Sequence, residues 1–279
     1  MLAAALIVAC SQDLPSPAAV TSLRLLALTT PSPELLVGAG TRVTAVWYDP
    51  TPGRTLWFHW RLCPEPLDGD ARDCALPAAG HDLGASMSDG VDLPSGALTL
   101  PPGSDHQDYV VYLALCPGAL AVFDPALGHY HCASPEGLEA IRRVTVRVTE
   151  PLNHDPGITG AWVGDGAARV SVAPDSGTPA VQGCRADPCA VIPFGVQPSP
   201  DAAEPLSGGG AETLEASYYA TAGTVDPPRV LGTAGGVDAL IAHWTPPQGA
   251  TAGTLVRLWV VLRDQRGGDT VTEGAVTLR

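Results

Sequence analysis

Seven cysteines are the most reactive residues of this 279-residue sequence, and six of them form an even set. These six are Cys63, Cys74, Cys116, Cys132, Cys184 and Cys189. An even number of thiols is what a framework of disulfide bonds needs, and such bonds persist in oxidising compartments. The seventh, Cys10, stands apart near the amino terminus. The count therefore predicts three disulfide bonds and a separate covalent role for Cys10.

The neighbours of Cys10 indicate what that role is. An apolar segment, Met1 to Ala9, precedes it, and a polar, proline-rich stretch from Ser11 to Pro17 follows. A short apolar segment that ends in a small residue is typical of export signals, since Ala9 fits a peptidase pocket. Cleavage there would make Cys10 the first residue of the mature chain, and its sulfur would carry acyl chains such as palmitate.

Residues Ile7, Val8, Ala9 and Cys10 resemble the lipobox of bacterial lipoproteins, and they fill its four positions. The resemblance implies a lipid-anchored protein of the cell envelope. Because Ser11 rather than Asp follows the cysteine, it points to the outer membrane. No basic residue precedes the apolar run, which departs from the usual signal and leaves open a start further upstream. An ordinary secretory signal and a buried strand of a cytosolic protein remain as alternatives.

Three side chains on one strand could bind a ligand. Trp57, His59 and Arg61 alternate with an apolar set, so they project from the opposite face of their strand. Such a trio could stack on a sugar or a peptide. The alternative, which we favour, is that Trp57 packs beneath a long loop, because large aromatic residues are usually mostly buried.

Metal ligands are weakly indicated. Asp264 and Asp269 lie in a turn and are weak candidates for calcium, but no EF-hand spacing surrounds them. His129, His131 and Cys132 are the ligand types of zinc, yet a disulfide bond would consume the thiol and no second ligand pair lies at metal spacing. We expect neither a metal nor another cofactor.

Catalytic motifs are also missing from the sequence. The segment from Gly84 to Ser88 lacks the second glycine of a nucleophile elbow, and no helix follows it. The chain contains no phosphate-binding loop and no dinucleotide fingerprint. The sequence therefore predicts a protein that is not an enzyme.

Composition limits the fold and the partners. The length suits two domains of about 130 residues. The chain has 31 Gly, 28 Pro and 45 % hydrophobic residues but few helical patterns, which favours short strands separated by turns. A net charge of −14 repels phosphate backbones, so nucleic acid is an improbable partner. No later apolar run approaches the roughly 20 residues of a membrane-spanning helix.

Alternating apolar residues predict the strands of a first domain. In Thr41 to Tyr48 and Thr55 to Cys63, alternate side chains form one apolar face. The other strands are predicted at Val20 to Thr29, Tyr109 to Cys116 and Ile141 to Thr149. Six or seven strands at these spacings, without helices between them, favour an antiparallel sandwich.

The first domain resembles immunoglobulin-like modules of bacterial surface proteins. The resemblance lies in Trp57 and Trp60 on the third strand and in Tyr109 at the start of a later strand. It departs from the antibody pattern because Trp47 stands where a sheet-bridging cysteine would be. In such a fold the third and sixth strands are antiparallel neighbours, so Cys63 and Cys116 lie at opposite ends of the sheet and cannot be bridged.

Local disulfide pairs follow from that arrangement. Among the 15 pairings that six cysteines allow, we predict Cys63 with Cys74, Cys116 with Cys132 and Cys184 with Cys189, and each bond closes a loop at a gain of about 3 kcal/mol.

The second domain continues the strand pattern after a turn-rich junction at 151–156. Five strands are predicted between residues 157 and 244, and a closing hairpin joins 254–262 to 270–278 through the turn from Arg263 to Asp269. This hairpin resembles the end of polycystic-kidney-disease-type and cadherin-like modules. The resemblance implies a second sandwich, whose role in such families is spacing or adhesion.

The sequence thus predicts an all-β chain with two antiparallel immunoglobulin-like β-sandwich domains in tandem. The predicted segments are a lipoprotein signal at 1–9, an extended tether at 10–19, the first sandwich at 20–150 and the second at 151–279. The predicted role is that of an envelope-anchored spacer or adhesive protein with a protein or glycan partner. A glycan-binding module, marked by exposed aromatic residues around Trp57, is the alternative, and a secreted hydrolase with a deep cleft is a weaker one.

Overall fold

A computed structural model describes residues 17–65, 70–172, 177–206, 208–232 and 239–279. Within these ranges the chain forms β-strands joined by turns and by short 3-10 helices, with no α-helix. None of the helices described here is long and apolar enough to cross a membrane. The predicted signal at 1–9 and Cys10 lie outside the described residues.

Ten strands of the first sandwich lie in the described residues. They are Arg24–Thr29 (β1), Glu34–Leu36 (β2), Thr41–Tyr48 (β3), Leu56–Pro64 (β4), His81–Ser86 (β5), Gly90–Leu93 (β6), His106–Pro117 (β7), Val122–Asp124 (β8), His129–His131 (β9) and Leu138–Arg147 (β10). One sheet has the order β1-β3-β6, and the facing sheet has the order β2-β10-β7-β4-β5. Strands β8 and β9 form a separate hairpin.

The other ten strands in the part of the chain that the structure describes belong to the second sandwich. They are Ile158–Val163 (β11), Val170–Ser171 (β12), Ala180–Val181 (β13), Ile192–Pro198 (β14), Glu215–Ala220 (β15), Thr224–Asp226 (β16), Arg229–Leu231 (β17), Leu240–Thr245 (β18), Leu255–Arg263 (β19) and Asp269–Leu278 (β20). Its sheets have the orders β12-β11-β14-β18-β16 and β13-β20-β19-β15-β17.

The strand order of both sandwiches is immunoglobulin-like. An immunoglobulin domain packs strands A, B, E and D against strands C, F and G. In the second sandwich β11, β14, β18 and β16 take the first set of places, and β15, β19 and β20 take the second. In the first sandwich β1, β3 and β6 face β4, β7 and β10 in the same way. The predicted fold class is confirmed, while the predicted boundary at residues 150 and 151 stays a prediction.

Each sandwich has its own apolar core. Phe58, Trp60 and Leu113 are completely buried in the first, and Tyr218 and Trp244 are completely buried in the second. Burial of a large apolar side chain contributes about 1.5–3 kcal/mol, so these side chains hold the two sheets of each sandwich together. The alternation that the sequence predicts in β3 and β4 gives the core-facing residues directly.

The amino-terminal stretch differs from its prediction. The predicted first strand, Val20 to Thr29, begins only at Arg24. The predicted tether is also wrong in its described part, because Ala18 is 1 % exposed and packs in the core of the second sandwich. Backbone hydrogen bonds explain this, since Val20 donates to Ala220 and Ala220 donates to Ala18. We call residues 17–20 the strap.

Candidate functional site at the junction of the sandwiches

Arg61, one of the three residues predicted to bind a ligand, is buried in the structure. Arg61 is 2 % exposed, and its guanidinium donates hydrogen bonds to the carbonyl oxygens of Cys74 at 2.8 Å, Leu76 at 2.9 Å and Pro77 at 3.2 Å. A surface role for Arg61 is therefore wrong. The loop that follows Cys63 folds back over this face, and its carbonyl groups need the donors that Arg61 supplies.

The other two members are partly covered. The ring of His59 lies 4.3 Å from that of Tyr130 and 3.0 Å from an Asp82 carboxylate oxygen, and Trp57 is half-buried. Among the described residues no aromatic side chain is fully exposed. The continuous band of exposed aromatics that would indicate glycan binding is thus missing from this part of the chain.

The disulfide bonds explain why this face is covered. The structure pairs Cys63 with Cys74, Cys116 with Cys132 and Cys184 with Cys189, the same pairs that the sequence predicts, with Cα atoms 5.1–5.6 Å apart. Strands β4 and β7 are antiparallel neighbours, as that argument requires. The first two bonds hold two loops over the outer face of β4 and β7, where a second apolar cluster forms around Tyr112 and Tyr130.

The two predicted calcium candidates have protein partners. One oxygen of Asp264 accepts hydrogen bonds from the amides of Arg266 at 2.8 Å and Gly268 at 2.7 Å, and the other accepts one from the Asn153 side chain at 2.9 Å. Asp269 lies 2.8 Å from the guanidinium of Arg142. No cluster of three metal-ligating side chains is found among the described residues. These two carboxylates instead mark the junction between the sandwiches.

An apolar seam forms the first part of that junction. Trp259 and Val261 project from the outer face of β19, and they pack against Leu26, Ala27 and other residues of the first sandwich. Trp259 is 1 % exposed, and its ring centre lies 5.2 Å from that of Tyr48. The sheet of one sandwich therefore covers the sheet of the other along β1 and β19.

The strap closes one end of this seam. Ala18 packs in the second core, Val20 packs against the seam, and Leu23 packs in the first core. Arg24 donates a hydrogen bond to the Ala19 carbonyl and lies 5.2 Å from the ring centre of Tyr219. The chain thus passes from the second sandwich into the first within a few residues.

Glu34 is the first of two ionic centres at the other end of the seam. It is 3 % exposed, receives two contacts of 2.9 Å from Arg147, and accepts a 2.8 Å hydrogen bond from the Asn153 amide. Burial raises the pKa of Glu34, but the hydrogen bonds from Arg147 and Asn153 outweigh burial and leave this pKa below its ordinary value. Glu34 is therefore an ionised group that joins the first sandwich to the linker.

Arg142 is the second centre. It is 7 % exposed, pairs with Asp269 of the second sandwich, lies 3.9 Å from Asp155 of the linker, and donates to the Thr30 hydroxyl at 3.2 Å. Burial raises the pKa of Asp269 to about 6, against the opposing effect of Arg142. The second sandwich and the linker cover Arg142, because Asp269 and Asp155 lie against its guanidinium.

Gly268 shows how tightly the turn fits the linker. A Cβ atom at this position would lie against the Asp264 carboxylate and 2.9 Å from the carbonyl oxygen of His154. A side chain here would therefore push the turn away from the linker. The glycines of the closing turn thus serve the junction as well as the hairpin.

A cleft of about 870 Å³ opens beside the junction. Its walls are β1, the first half of β10, and the closing turn of the second sandwich. Strand β1 is at the edge of its sheet, and residues 138–144 of β10 pair only with β7. The cleft therefore presents strand edges together with apolar side chains such as Leu25 and Ile141, which suits an extended peptide better than a sugar.

Sequence reasoning missed most of the junction. Asn153 is the only asparagine of the chain, it lies in the predicted linker, and it is completely buried. That isolated polar residue between two predicted domains was the signal available. Arg142 has the same parity in β10 as the buried Val144 and Val146, which was a second signal, whereas Glu34 gave none.

Comparisons with known proteins add little to this geometry. No protein-family model and no curated protein matches the chain. Among solved structures, the N-terminal Ig1-2 module of the Drosophila receptor protein tyrosine phosphatase DLAR matches with 10 % identity and a TM-score of 0.27, over 92 % of this chain and 97 % of that one. A structure of tandem Ig repeats of Dlar matches with 12 % identity and a TM-score of 0.26, over 93 % and 97 %. Red sea bream transglutaminase matches with 12 % identity and a TM-score of 0.26, over 93 % of this chain and 32 % of that one. At such TM-scores the likeness carries no argument, so the fold assignment rests on strand order.

Proposed function

We propose that the chain is a lipid-anchored spacer of a bacterial cell envelope, without catalytic activity, whose two sandwiches work as one rigid unit. The junction supports this proposal, because it joins the sandwiches through an apolar seam, a strap and buried ion pairs. Flexible tandem domains meet through smaller and more polar surfaces. A rigid pair keeps a fixed distance between an anchor and a partner.

The anchor is proposed at Cys10, and its site is the outer membrane. The six other cysteines are paired, which leaves the Cys10 thiol as the one available for acylation. Changing Cys10 to Ser should move the protein from the membrane fraction to the soluble fraction, since the acyl chains would supply most of its membrane affinity. A Ser11→Ala variant is the matched control and should stay with the membrane.

Intact-mass analysis and membrane fractionation can refute the proposed anchor. A native chain that keeps an unmodified Met1, or a Cys10→Ser variant that stays with the membrane, would refute the anchor. The spacer role of the rigid pair could still hold in a secreted protein.

A protein partner is proposed for the cleft beside the junction. Ile141 is 44 % exposed there, next to the free edge of β10. An extended segment of a partner can pair with such an edge and bury apolar side chains in the cleft. Crosslinking in intact cells should capture a partner on the wild-type chain, and Ile141→Arg should abolish the crosslink. An equal exposed substitution on the second sandwich, Ile241→Arg, should leave it unchanged.

A further inference from the structure

We propose that one end of the second sandwich rests on the membrane surface, a proposal that relies on the lipid anchor at Cys10. We call this end, formed by residues 182–191, 221–223 and 246–254, the strap end. The lipid bilayer is thus a second contact of the protein, in addition to the acyl chains.

The registers of the strands place these three segments at one end. Ala220, which pairs with the strap, ends β15 and lies opposite Leu258 near the start of β19. The amide of Gly253 donates to Leu278 at the end of β20, and the amide of Gly249 donates to Cys184. The closing turn and the linker lie at the opposite end of the same strands.

The short segment between Cys10 and the strap limits the orientation of the protein relative to the membrane. Six residues separate Cys10 from Pro17, so the lipid-bearing sulfur lies within about 25 Å of the strap at full extension. A sandwich of this size is roughly 35 Å across, from its expected radius of gyration. Because the strap is fixed to β15, the anchor holds the strap end nearer the bilayer than the end with the closing turn.

The strap end has no net charge, so an anionic lipid surface repels it less than it repels the rest of this acidic chain. Its three segments contain one basic residue, Arg185, and one acidic residue, Asp187, and the neighbouring loop 164–169, which Gly164 joins to Pro193, adds Asp165 and Arg169. This end is thus neutral, whereas the whole chain carries −14. At the opposite end the segments 199–206 and 208–214 contain Asp201, Glu204 and Glu212, the last two of which share Arg266 as their cationic partner. An anionic surface repels acidic loops, so the neutral end approaches it at the lowest electrostatic cost.

Exposed apolar side chains strengthen the contact. Val191, in the strap end, is 61 % exposed, and Leu255, which follows the strap end in the chain, is 52 % exposed. Apolar groups that reach the boundary between headgroups and acyl chains add to the binding that the anchor provides.

Hydrogen–deuterium exchange on vesicles tests the proposal. The mature chain is coupled through its Cys10 thiol to a maleimide lipid in vesicles of phosphatidylethanolamine and phosphatidylglycerol, and it is compared with a capped, soluble chain. We expect the free amides of 246–254 to exchange several-fold more slowly on the vesicle, while those of 199–206 are unchanged. Equal slowing at both ends, or slowing at 199–206 alone, would overturn the proposal.

Charge variants sharpen the result. Gln248 and Ala252 are exposed at the strap end, and their joint replacement by Glu should remove the protection by repulsion from phosphatidylglycerol. Leu206→Glu at the opposite end is the matched control and should leave the protection intact. Because the coupling is chemical, failure of native acylation at Cys10 would be seen by intact mass, independently of this orientation.

Discussion

The two sandwiches cover the outer face of corresponding sheets in different ways. Strand β7 in the first sandwich and β19 in the second are the central strands of their sheets, and both carry apolar side chains on both faces. In the first sandwich the outer face is covered by the chain's own loops, which two disulfide bonds hold in place. In the second sandwich the first sandwich and the strap cover it.

The two covers differ in how far apart in the sequence their residues lie. Cys116 and Cys132 are 16 residues apart, so the cover of β7 forms within one stretch of the sequence. Leu26 and Trp259 come from the two extremes of the chain, so the cover of β19 requires both sandwiches to be folded. Changes on the outer face of β19 should therefore disturb the junction, and changes on the outer face of β7 should disturb only the loops of the first sandwich.

Removing the Trp259 side chain should have the largest effect. Trp259→Ala leaves a cavity in the apolar seam and should lower the free energy of unfolding by about 3–5 kcal/mol. Denaturant unfolding measures that loss, and small-angle X-ray scattering should show a larger radius of gyration. Tyr112→Ala, on the corresponding face of β7, is the matched control and should destabilise the first sandwich without separating the two. An unchanged radius for Trp259→Ala would mean that the seam does not hold the sandwiches together.

Arg142 and Arg143 are adjacent in β10 and differ in burial, which gives a second test. Arg142→Met leaves Asp269 buried without its partner and should cost about 3–4 kcal/mol. Arg143 pairs with Glu65 at the surface, so Arg143→Met should cost at most about 1 kcal/mol. Urea titrations of both variants measure the contrast. Equal losses would show that Arg142 is not buried by the second sandwich.

Opening the Cys116–Cys132 bond should affect the first sandwich alone. The loop it closes predicts a loss of about 3 kcal/mol when both cysteines are changed to Ala. Binding of a hydrophobic dye should rise as the cover of β7 loosens, while the radius of gyration stays constant. A variant whose sandwiches also separate would contradict the separation of roles between the two covers.

The pH dependence of stability should show the smallest effect, from two junction carboxyls that act in opposite directions. The pKa of Asp269 is raised to about 6, so the folded state binds this proton more tightly than the unfolded state, and stability is lost as the pH rises through 6. The pKa of Glu34 is lowered from 4.5, so its contribution is lost as the pH falls below that value. The Asp269 contribution is lost between its ordinary value of 3.8 and about 6, so the stability that these two carboxyls supply should be greatest near about pH 4 and should level off above pH 6.

Single variants test separately the loss of stability at acidic pH and the loss at higher pH. Asp269→Asn should remove the decline between its ordinary value of 3.8 and about pH 6, and Glu34→Gln should remove the decline at acidic pH, as followed by thermal unfolding across the range. A curve that is unchanged in both variants would show that these carboxyls do not titrate with folding.

The sequence predicted features that depend on local pattern. Strand β3 begins and ends where the alternation of Val43, Ala45 and Trp47 predicts, because a half-buried strand has a period of two. The local disulfide pairs also followed from the sequence, since two antiparallel neighbours place Cys63 and Cys116 at opposite ends of a sheet.

Features that join distant parts of the chain were not predictable in this way. Arg61 occupies a polar position of its alternating strand and is buried by the loop over β4. Arg142 occupies an inward position of β10, in line with Val144 and Val146, and its partner Asp269 comes from the second sandwich. The strap has the composition of a tether, and it becomes part of a core because β15 offers it backbone hydrogen bonds.

The sequence by itself determined the fold class, the inward faces of the main strands and the even set of cysteines. These depend on periodicity and on counts, which neighbouring residues carry. The tertiary structure alone decided which outer faces are covered, which charges are buried, and where the amino-terminal stretch is fixed. Burial depends on what approaches from elsewhere in the chain, and for Trp259 and Arg142 that partner lies more than 100 residues away in the sequence.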